Sequence, residues 1–151
     1  MKGHTETKTF GKDRIWKRSI INKIKNPSSI LDLACGTGIL TKTLSETFPH
    51  SKVVGIDITK SYLDMAKMKL KSYENISLFL NDAENFHLDQ KFDYIVSSYI
   101  SKYCSPKLII KSCLEHLNPG GTVILHDFTY PKNYFVRKIW NFYFKLLYFL
   151  G

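Results

Sequence analysis

The sequence contains few cysteines and no long run of apolar residues. Its three cysteines, Cys35, Cys104 and Cys113, are odd in number and form no Cys-x-x-Cys pair, so we predict neither a disulfide framework nor a metal site. No stretch reaches the roughly 18 to 20 uncharged apolar residues of a membrane span, and residues 1–12 lack the apolar core of a signal peptide. We therefore expect a soluble, cytoplasmic protein.

Acidic residues are scarce at both ends of the chain. Residues 1–25 hold eight Lys or Arg side chains against two acids, and residues 131–151 hold four against none, while the middle is close to neutral. These ends are either the solvated faces of terminal helices or surfaces that face an anionic substrate or membrane. With 151 residues, 44% of them hydrophobic, the chain is long enough for the core of a single domain.

Short apolar runs alternate with helical patterns along the chain. Strands are predicted over 30–33, 53–56, 76–80, 94–96 and 122–128, with a turn over 118–121. Helices are predicted over 12–25, 39–47, 59–70, 106–117 and 134–150. This alternation predicts an α/β fold with a Rossmann-like parallel sheet and helices on both faces. The single domain, 1–151, divides into a basic N-terminal helix (1–27), a core (28–131) and an apolar C-terminal helix (132–151).

The turn after the first predicted strand indicates a nucleotide cofactor. Asp32 lies inside that strand, Gly36 and Gly38 follow it, and Asp57 ends the second strand. In a parallel sheet these positions meet at the carboxyl edge, where glycines let a ligand approach the backbone and an acid accepts hydrogen bonds from ribose hydroxyls. The dinucleotide fingerprint needs glycine where this chain has Thr41. An acid before the glycine turn suits a cofactor with an α-amino group, such as S-adenosylmethionine.

Five segments, in order, resemble the motifs of class I S-adenosylmethionine-dependent methyltransferases. They are LDLACGTG (31–38), GIDI (55–58), NDAE (81–84), FDYIVSS (92–98) and LNPGG (117–121). The resemblance covers residues 30–131 and implies the class I methyltransferase fold, with 28–131 as the cofactor-binding core. It implies cofactor contacts from Asp32, Ala34, Gly36, Thr37, Gly38, Asp57, Ile58, Asp82, Ala83 and Ser98.

Within that class the sequence is most similar to the ubiquinone/menaquinone biosynthesis C-methyltransferases. Residues 31–41 resemble their first motif, and DFTYP (127–131) resembles a segment after their fifth strand. The resemblance implies C-methylation of a quinol or another small aromatic acceptor. The chain departs from the pattern at 99–103, where it has Tyr-Ile-Ser-Lys-Tyr in place of Phe-Gly-x-Arg-Asn, so the acceptor stays open.

The candidate acceptor site lies at the end of the fifth predicted strand. His126 and Asp127 are candidate general bases that remove a phenol proton, and Tyr99, Tyr103 and Tyr130 are candidate pocket residues. Each also has an ordinary structural interpretation: a hydrogen-bonded strand-end histidine, and tyrosines that pack in the core.

The chain has only one helical segment after its fifth predicted strand, where the superfamily usually adds two more strands. We therefore expect a C-terminally shortened fold whose methyl transfer is weak or undetectable, because the acceptor is poorly positioned. The apolar segment 139–150 predicts a homodimer or a peripheral membrane contact. Two other functions stay open: RNA methylation, although nucleic acid is the less favoured partner, and a cofactor-binding module without activity.

Overall fold

The computed structural model describes residues 12–100, 104–127, 133–135, 137–139 and 141. The helices are α1 (Lys12–Ile21), α2 (Ile39–Thr47), α3 (Lys60–Leu70) and α4 (Pro106–Glu115). The strands are β1 (Ser29–Leu33), β2 (Lys52–Asp57), β3 (Ile76–Leu80), β4 (Phe92–Ser98) and β5 (Leu117–His126).

The five strands form one parallel sheet in the order β3-β2-β1-β4-β5. The chain winds outward from β1 in one direction to β3 and then crosses to β4 on the other side of β1. The strand order therefore reverses at β1, and the crevice at such a reversal, beyond the carboxyl ends of the strands, is where α/β proteins bind ligands. The predicted Rossmann-like parallel sheet is confirmed.

Helices cover both faces of the sheet, as predicted. On one face Leu31 and Leu33 of β1 pack in a cluster with Ile109 and Cys113 of α4. Alternate strand residues point to the opposite face, where a second cluster joins side chains from α1, α2 and four strands: Ile20, Ile24, Ile30, Leu40, Leu44, Val53, Val96 and Ile124. The central strands β1 and β2 are buried along nearly their whole length, which explains why they do not alternate apolar and polar residues.

Several predicted boundaries differ from those of the structure, and two of these differences have a clear physical cause. Helix α1 ends at Ile21 rather than at residue 25, because tighter turn hydrogen bonds from the N–H groups of Lys23 and Ile24 lead into Asn26, whose φ is 44°. The predicted turn at 118–121 lies inside β5, which begins at Leu117.

The turn-forming residues of β5 instead produce an irregularity in the strand. The pairing register moves from Phe92↔Leu117 to Tyr94↔Thr122, so the glycine-containing stretch bulges out of the ladder. Gly120 has a φ of +79°, which is the left-handed conformation that glycine adopts without steric cost. The Pro-Gly-Gly sequence therefore does interrupt the regular backbone, but it forms a bulge within a strand rather than a turn before it.

The C-terminal segment is described only in part. Residues 134, 135, 137–139 and 141 are helical, and Tyr134, Phe135 and Ile139 are more than half exposed. The rest of the predicted C-terminal helix, including 142–150, lies outside the described residues, so the homodimer and the membrane contact stay predictions. In the part of the chain that the structure describes, no helix is long and apolar enough to cross a membrane.

Gly38 combines a left-handed backbone with a tight contact, which predicts a large loss of stability on substitution. Its φ is +80°, and a Cβ there would lie 2.6 Å from Leu70 Cδ1 and 3.2 Å from Ala66 Cβ. Gly38→Ala should lower the free energy of unfolding by about 1 to 2 kcal/mol for the backbone and about 1 to 3 kcal/mol for overpacking. Gly120→Ala is the control, because its φ is +79° but, apart from its chain neighbours, no atom of the described residues lies within 4 Å of its Cβ position. Urea denaturation measures both, and equal losses would contradict the packing argument.

Candidate functional site

The first element of the site is the buried carboxylate of Asp32 in β1. The side chain is 1% exposed, and the Thr41 hydroxyl donates a 2.7 Å hydrogen bond to Asp32 Oδ2. Burial raises the pKa of Asp32 to about 7; the hydrogen bond from Thr41 and the charge of Lys17 oppose that rise, and the charge of Asp57 adds to it. Asp32 therefore changes its charge near neutral pH, and a cation placed beside it would favour the ionised form.

The turn that follows β1 is unusual in its backbone conformation. Ala34, Gly36 and Gly38 have φ values of 54°, 56° and 80°. The Cys35 N–H donates to the carbonyl of Ile56 in the neighbouring strand, which fixes the turn against β2. Ala34 holds a left-handed conformation that costs an L-residue about 1 to 2 kcal/mol, a cost that glycine would avoid. Such strain is typical of ligand-binding loops.

A second carboxylate, Asp57, joins the turn after β1 to the end of β2. The Gly36 N–H donates to Asp57 Oδ2 at 2.8 Å, and the Thr59 N–H donates to Oδ1 at 2.8 Å. No atom of the described residues lies within 4 Å of the position that a Cβ on Gly36 would take. The turn therefore presents its backbone to open space directly beside a carboxylate, which is the shape needed to receive a ribose.

The predicted cofactor contacts Ile58, Asp82 and Ala83 lie at the ends of β2 and β3. Ile58 is 69% exposed, Asp82 is exposed and Ala83 is buried. The Asn81 N–H donates to the Asp57 carbonyl, and the Glu84 N–H donates to Asp82 Oδ1. The first of these bonds holds the segment after β3 against the end of β2, and the second fixes the conformation of residues 82–84. Beside Asp57, an exposed apolar side chain thus lies near polar backbone groups, a combination that suits a flat base.

The candidate acceptor residues meet at the ends of β4 and β5. Ser98 is in register with His126, and the Tyr99 N–H donates to the His126 carbonyl at 2.9 Å. The rings of Tyr99 and His126 lie edge to face, with centroids 5.9 Å apart, and Asp127 follows directly. Tyr99 has a φ of 70°, a conformation that is rare for an aromatic residue and concentrates at functional sites. Tyr103 and Tyr130 lie outside the described residues.

Three residues near the site were missed as site residues by sequence reasoning. Thr41 appeared only as a departure from the dinucleotide fingerprint, and Lys17 only as part of the N-terminal charge. Ser97, next to the predicted Ser98, is fully buried, and its hydroxyl donates a 2.7 Å hydrogen bond to the Leu33 carbonyl. Thr41 could have been identified from its place in the first turn of α2, because a hydroxyl buried at that position faces the strand that precedes the helix.

The metal chemistry of the site is limited by its donors. In the described ranges, no group of three or more His, Cys, Asp or Glu side chains lies close enough together to hold a metal ion. The thiol nearest the site is Cys35, which is buried, and burial raises its pKa far above the usual range. Cys35 is therefore a protonated packing residue in the folded protein.

The fold and this edge of the sheet define an α/β domain that binds a nucleotide-type cofactor. Residues 30–121 match the model of a family described as a methyltransferase domain. The chain belongs to this methyltransferase domain family, which confirms the predicted class and, with it, the predicted cofactor, S-adenosylmethionine.

Relatives with assigned functions share most of this chain. The demethylmenaquinone methyltransferase of Thermotoga maritima is 30% identical over 91% of this chain and 61% of its own length. A ubiquinone/menaquinone biosynthesis C-methyltransferase of Wigglesworthia glossinidia brevipalpis is 31% identical over 89% of this chain and 57% of its own. The chain therefore spans about three-fifths of the length of these relatives. The comparisons do not favour RNA methylation or an inactive binding module.

Solved structures share the fold. DesVI of Streptomyces venezuelae superposes with a TM-score of 0.67 at 26% identity, covering 80% of this chain and 52% of that one. A glycopeptide N-methyltransferase crystallised with S-adenosylmethionine superposes with a TM-score of 0.66 at 24% identity, over 72% of this chain and 51% of that one. The predicted class I methyltransferase fold is thereby confirmed.

The raised pKa of Asp32 predicts a specific dependence of stability on pH. Its pKa moves from an ordinary value of 3.8 to about 7 on folding, so the folded state holds the proton more tightly. The resulting stabilisation is complete below about pH 4 and is lost as the pH rises through 7. Asp32→Asn keeps an acceptor for Thr41 without ionising, so it should match the parent at pH 4 and exceed its stability by about 1 to 4 kcal/mol at pH 8. Urea denaturation at both pH values measures the difference, and a difference independent of pH would contradict the assignment.

Proposed function

We propose that this chain binds S-adenosylmethionine at the carboxyl edge of β1 and β2 and methylates a small aromatic acceptor of the quinol class. The observation that carries the cofactor part is the pair of carboxylates, Asp32 and Asp57, on either side of the open turn at Gly36. The acceptor part is supported by relatives whose names specify menaquinone and ubiquinone biosynthesis.

Each carboxylate has a distinct role in holding the cofactor. Asp32 faces the amino-acid end, where its negative charge stabilises an ammonium group. Asp57 binds the ribose hydroxyls: each of its oxygens already accepts one backbone N–H, and each carboxylate oxygen accepts more than one hydrogen bond. The half-buried Thr37 and Ser98 border the same edge, and Gly38 lets the turn close onto α3.

Ile58, Asp82 and Ala83 form the adenine end of the proposed site. The exposed side chain of Ile58 packs against one face of the base, and the backbone and side chain of the 82–83 segment contact its polar edge. Because hydrogen bonds tie Asn81 to Asp57 and Glu84 to Asp82, the adenine and ribose contacts form one rigid unit. A rigid unit loses less conformational entropy on binding than separate loops do.

The bound cofactor supplies a methyl group that its sulfonium already activates, so the protein's contribution is largely placement. Holding an acceptor carbon in line with the methyl group provides about 7 to 11 kcal/mol of barrier reduction. His126, with Asp127 beside it, removes the phenol proton, and the resulting phenolate makes the ring carbon nucleophilic. The Tyr99 ring, edge to face with His126, fixes the imidazole and forms one wall for an aromatic acceptor.

Removal of the Asp57 carboxylate tests the cofactor site. Asp57→Ala should weaken S-adenosylmethionine binding by about 1 to 3 kcal/mol, because the ribose loses a charged acceptor and the turn at Gly36 loses its anchor. Isothermal titration calorimetry measures the affinity. No binding by the parent chain would contradict the cofactor assignment, and an unchanged affinity in the variant would contradict the role of Asp57.

Asp93 provides the matched control for Asp57. Its carboxylate also accepts backbone N–H bonds, from Ser28 and Ser29, together with the side-chain amide of Asn118. However, it lies at the amino edge of the sheet, away from the proposed site. Asp93→Ala should lower the melting temperature yet leave cofactor affinity unchanged when measured well below both melting transitions.

The acceptor part is tested at His126. His126→Gln should slow methyl transfer to a demethylated hydroquinone by roughly 10²- to 10⁴-fold, because the general base is lost, without changing cofactor affinity. Single-turnover transfer of an isotopically labelled methyl group, read by mass spectrometry, detects slow rates. His50→Gln is the control, since this exposed histidine lies between α2 and β2 at the opposite edge. A chain that methylates RNA and no hydroquinone would contradict the acceptor class.

A further inference from the structure

Helix α1 leads toward the carboxyl edge of the sheet when it is followed backward from its C-terminal end. The peptide N–H of Lys25 donates to the Tyr94 hydroxyl at 3.2 Å, and Tyr94 pairs with Ile30 near the start of β1. The residues just after α1 therefore lie at the amino edge. Because α1 packs on the sheet face and on α2, its N-terminal half extends toward the edge that carries Asp32 and the glycine turn.

Lys17 lies on the side of α1 that faces the sheet. It precedes the buried Ile20 by three residues, the spacing of one helical face. Lys17 is partly buried, whereas its neighbours Arg18 and Ser19 are exposed. The cluster that holds Ile20 also contains Val96 and Ile124, which are in register with Asp32 across the sheet. Lys17 lies about one helical turn N-terminal to Ile20. Its ammonium group therefore comes near the carboxyl end of β1.

The two charges of Lys17 and Asp32 interact without direct contact. The positive charge of Lys17 lowers the pKa of Asp32 against the effect of burial. Yet within the described part of the chain the ion pairs within 4 Å are Lys42–Glu46 and Lys60–Asp64, and neither includes these two residues. The two groups are therefore close enough to interact electrostatically, yet they do not form an ion pair within 4 Å. Such an arrangement is complementary to a zwitterion.

We propose that Lys17 binds the carboxylate of the cofactor's amino-acid end, while Asp32 faces its ammonium group. This inference rests on the proposed function. The N-terminus of the nine-residue helix α2 supports it: the capping residue Gly38 provides no side-chain cap, so the first N–H groups of α2 add positive potential next to the same carboxylate. The N-terminal helix then acts as a specificity element, because it distinguishes an amino-acid end from a plain amine.

A second role for Lys17 gives a different experimental result. In this second role Lys17 acts only on Asp32 and keeps that carboxylate ionised for the ammonium group of the cofactor. Decarboxylated S-adenosylmethionine separates the two roles, since it keeps the ammonium, the sulfonium and the adenosine but lacks the carboxylate. A contact with the carboxylate affects one ligand alone, whereas an effect through Asp32 weakens both ligands equally.

The test compares the affinities of four proteins for the two ligands by titration calorimetry: the parent, Lys17→Met, Lys17→Arg and Arg18→Met. Lys17→Met should lose about tenfold to a hundredfold in affinity for S-adenosylmethionine and change about twofold or less for the decarboxylated ligand. Lys17→Arg should retain most of the preference. Arg18→Met removes an exposed charge one residue away and should change neither affinity.

Each outcome decides the proposal. A larger loss for S-adenosylmethionine than for its decarboxylated form, with Arg18→Met unchanged, supports it. Equal losses for both ligands, or no loss, overturn it. Circular dichroism melting of each variant shows that the fold is retained. If the parent binds neither ligand, the proposed function itself fails, and that result is distinct from parent binding without a Lys17-dependent preference.

Discussion

The site depends on the carboxylate of Asp57, which accepts the Gly36 N–H and the Thr59 N–H at 2.8 Å each. Two loops that follow different strands are thereby joined through one side chain. Gly55, two residues earlier, makes this approach possible: a Cβ there would lie 2.7 Å from Leu78 Cδ2 and 3.0 Å from Cys35 Sγ. The absence of a side chain at Gly55 therefore lets the turn after β1 rest on β2, and the carboxylate then fixes its position.

A second carboxylate anchors the same central strand at its other end. Asp93, at the start of β4, accepts the N–H groups of Ser28 and Ser29 and the side-chain amide of Asn118. The Asn118 bond, followed by the two backbone bonds, lowers the pKa of Asp93, so its charge persists at acidic pH. Strand β1 is thus positioned by β2 at its carboxyl end and by β4 at its amino end. The proposed cofactor contacts at the carboxyl ends of the strands depend on this placement of β1.

The sheet and the glycine turn were predictable because their determinants are local. An apolar run, a following glycine and an acid at a strand end appear in adjacent residues, and parallel-sheet geometry brings the strand ends together. The Thr41–Asp32 hydrogen bond and the approach of Lys17 were not predictable, since they depend on how far α2 and α1 lie from the sheet. The β5 bulge was misread for the same reason: Pro-Gly-Gly specifies a left-handed backbone, and only pairing with β4 decides whether a strand continues through it.

Two unfavourable features of the structure lie close together at the turn after β1. Asp32 is buried with a raised pKa, and two positions later Ala34 holds a left-handed backbone. In a region selected only for stability, an amide and a glycine would remove both costs. Their joint presence beside an open backbone position at Gly36 agrees with the proposed cofactor, because an ammonium group bound there would stabilise the ionised Asp32 and fix the strained turn. Lys17 lies near Asp32 but does not form an ion pair with it, which agrees with the same proposal. A direct ion pair would stabilise the protein without its ligand and would compete with the ligand for both groups.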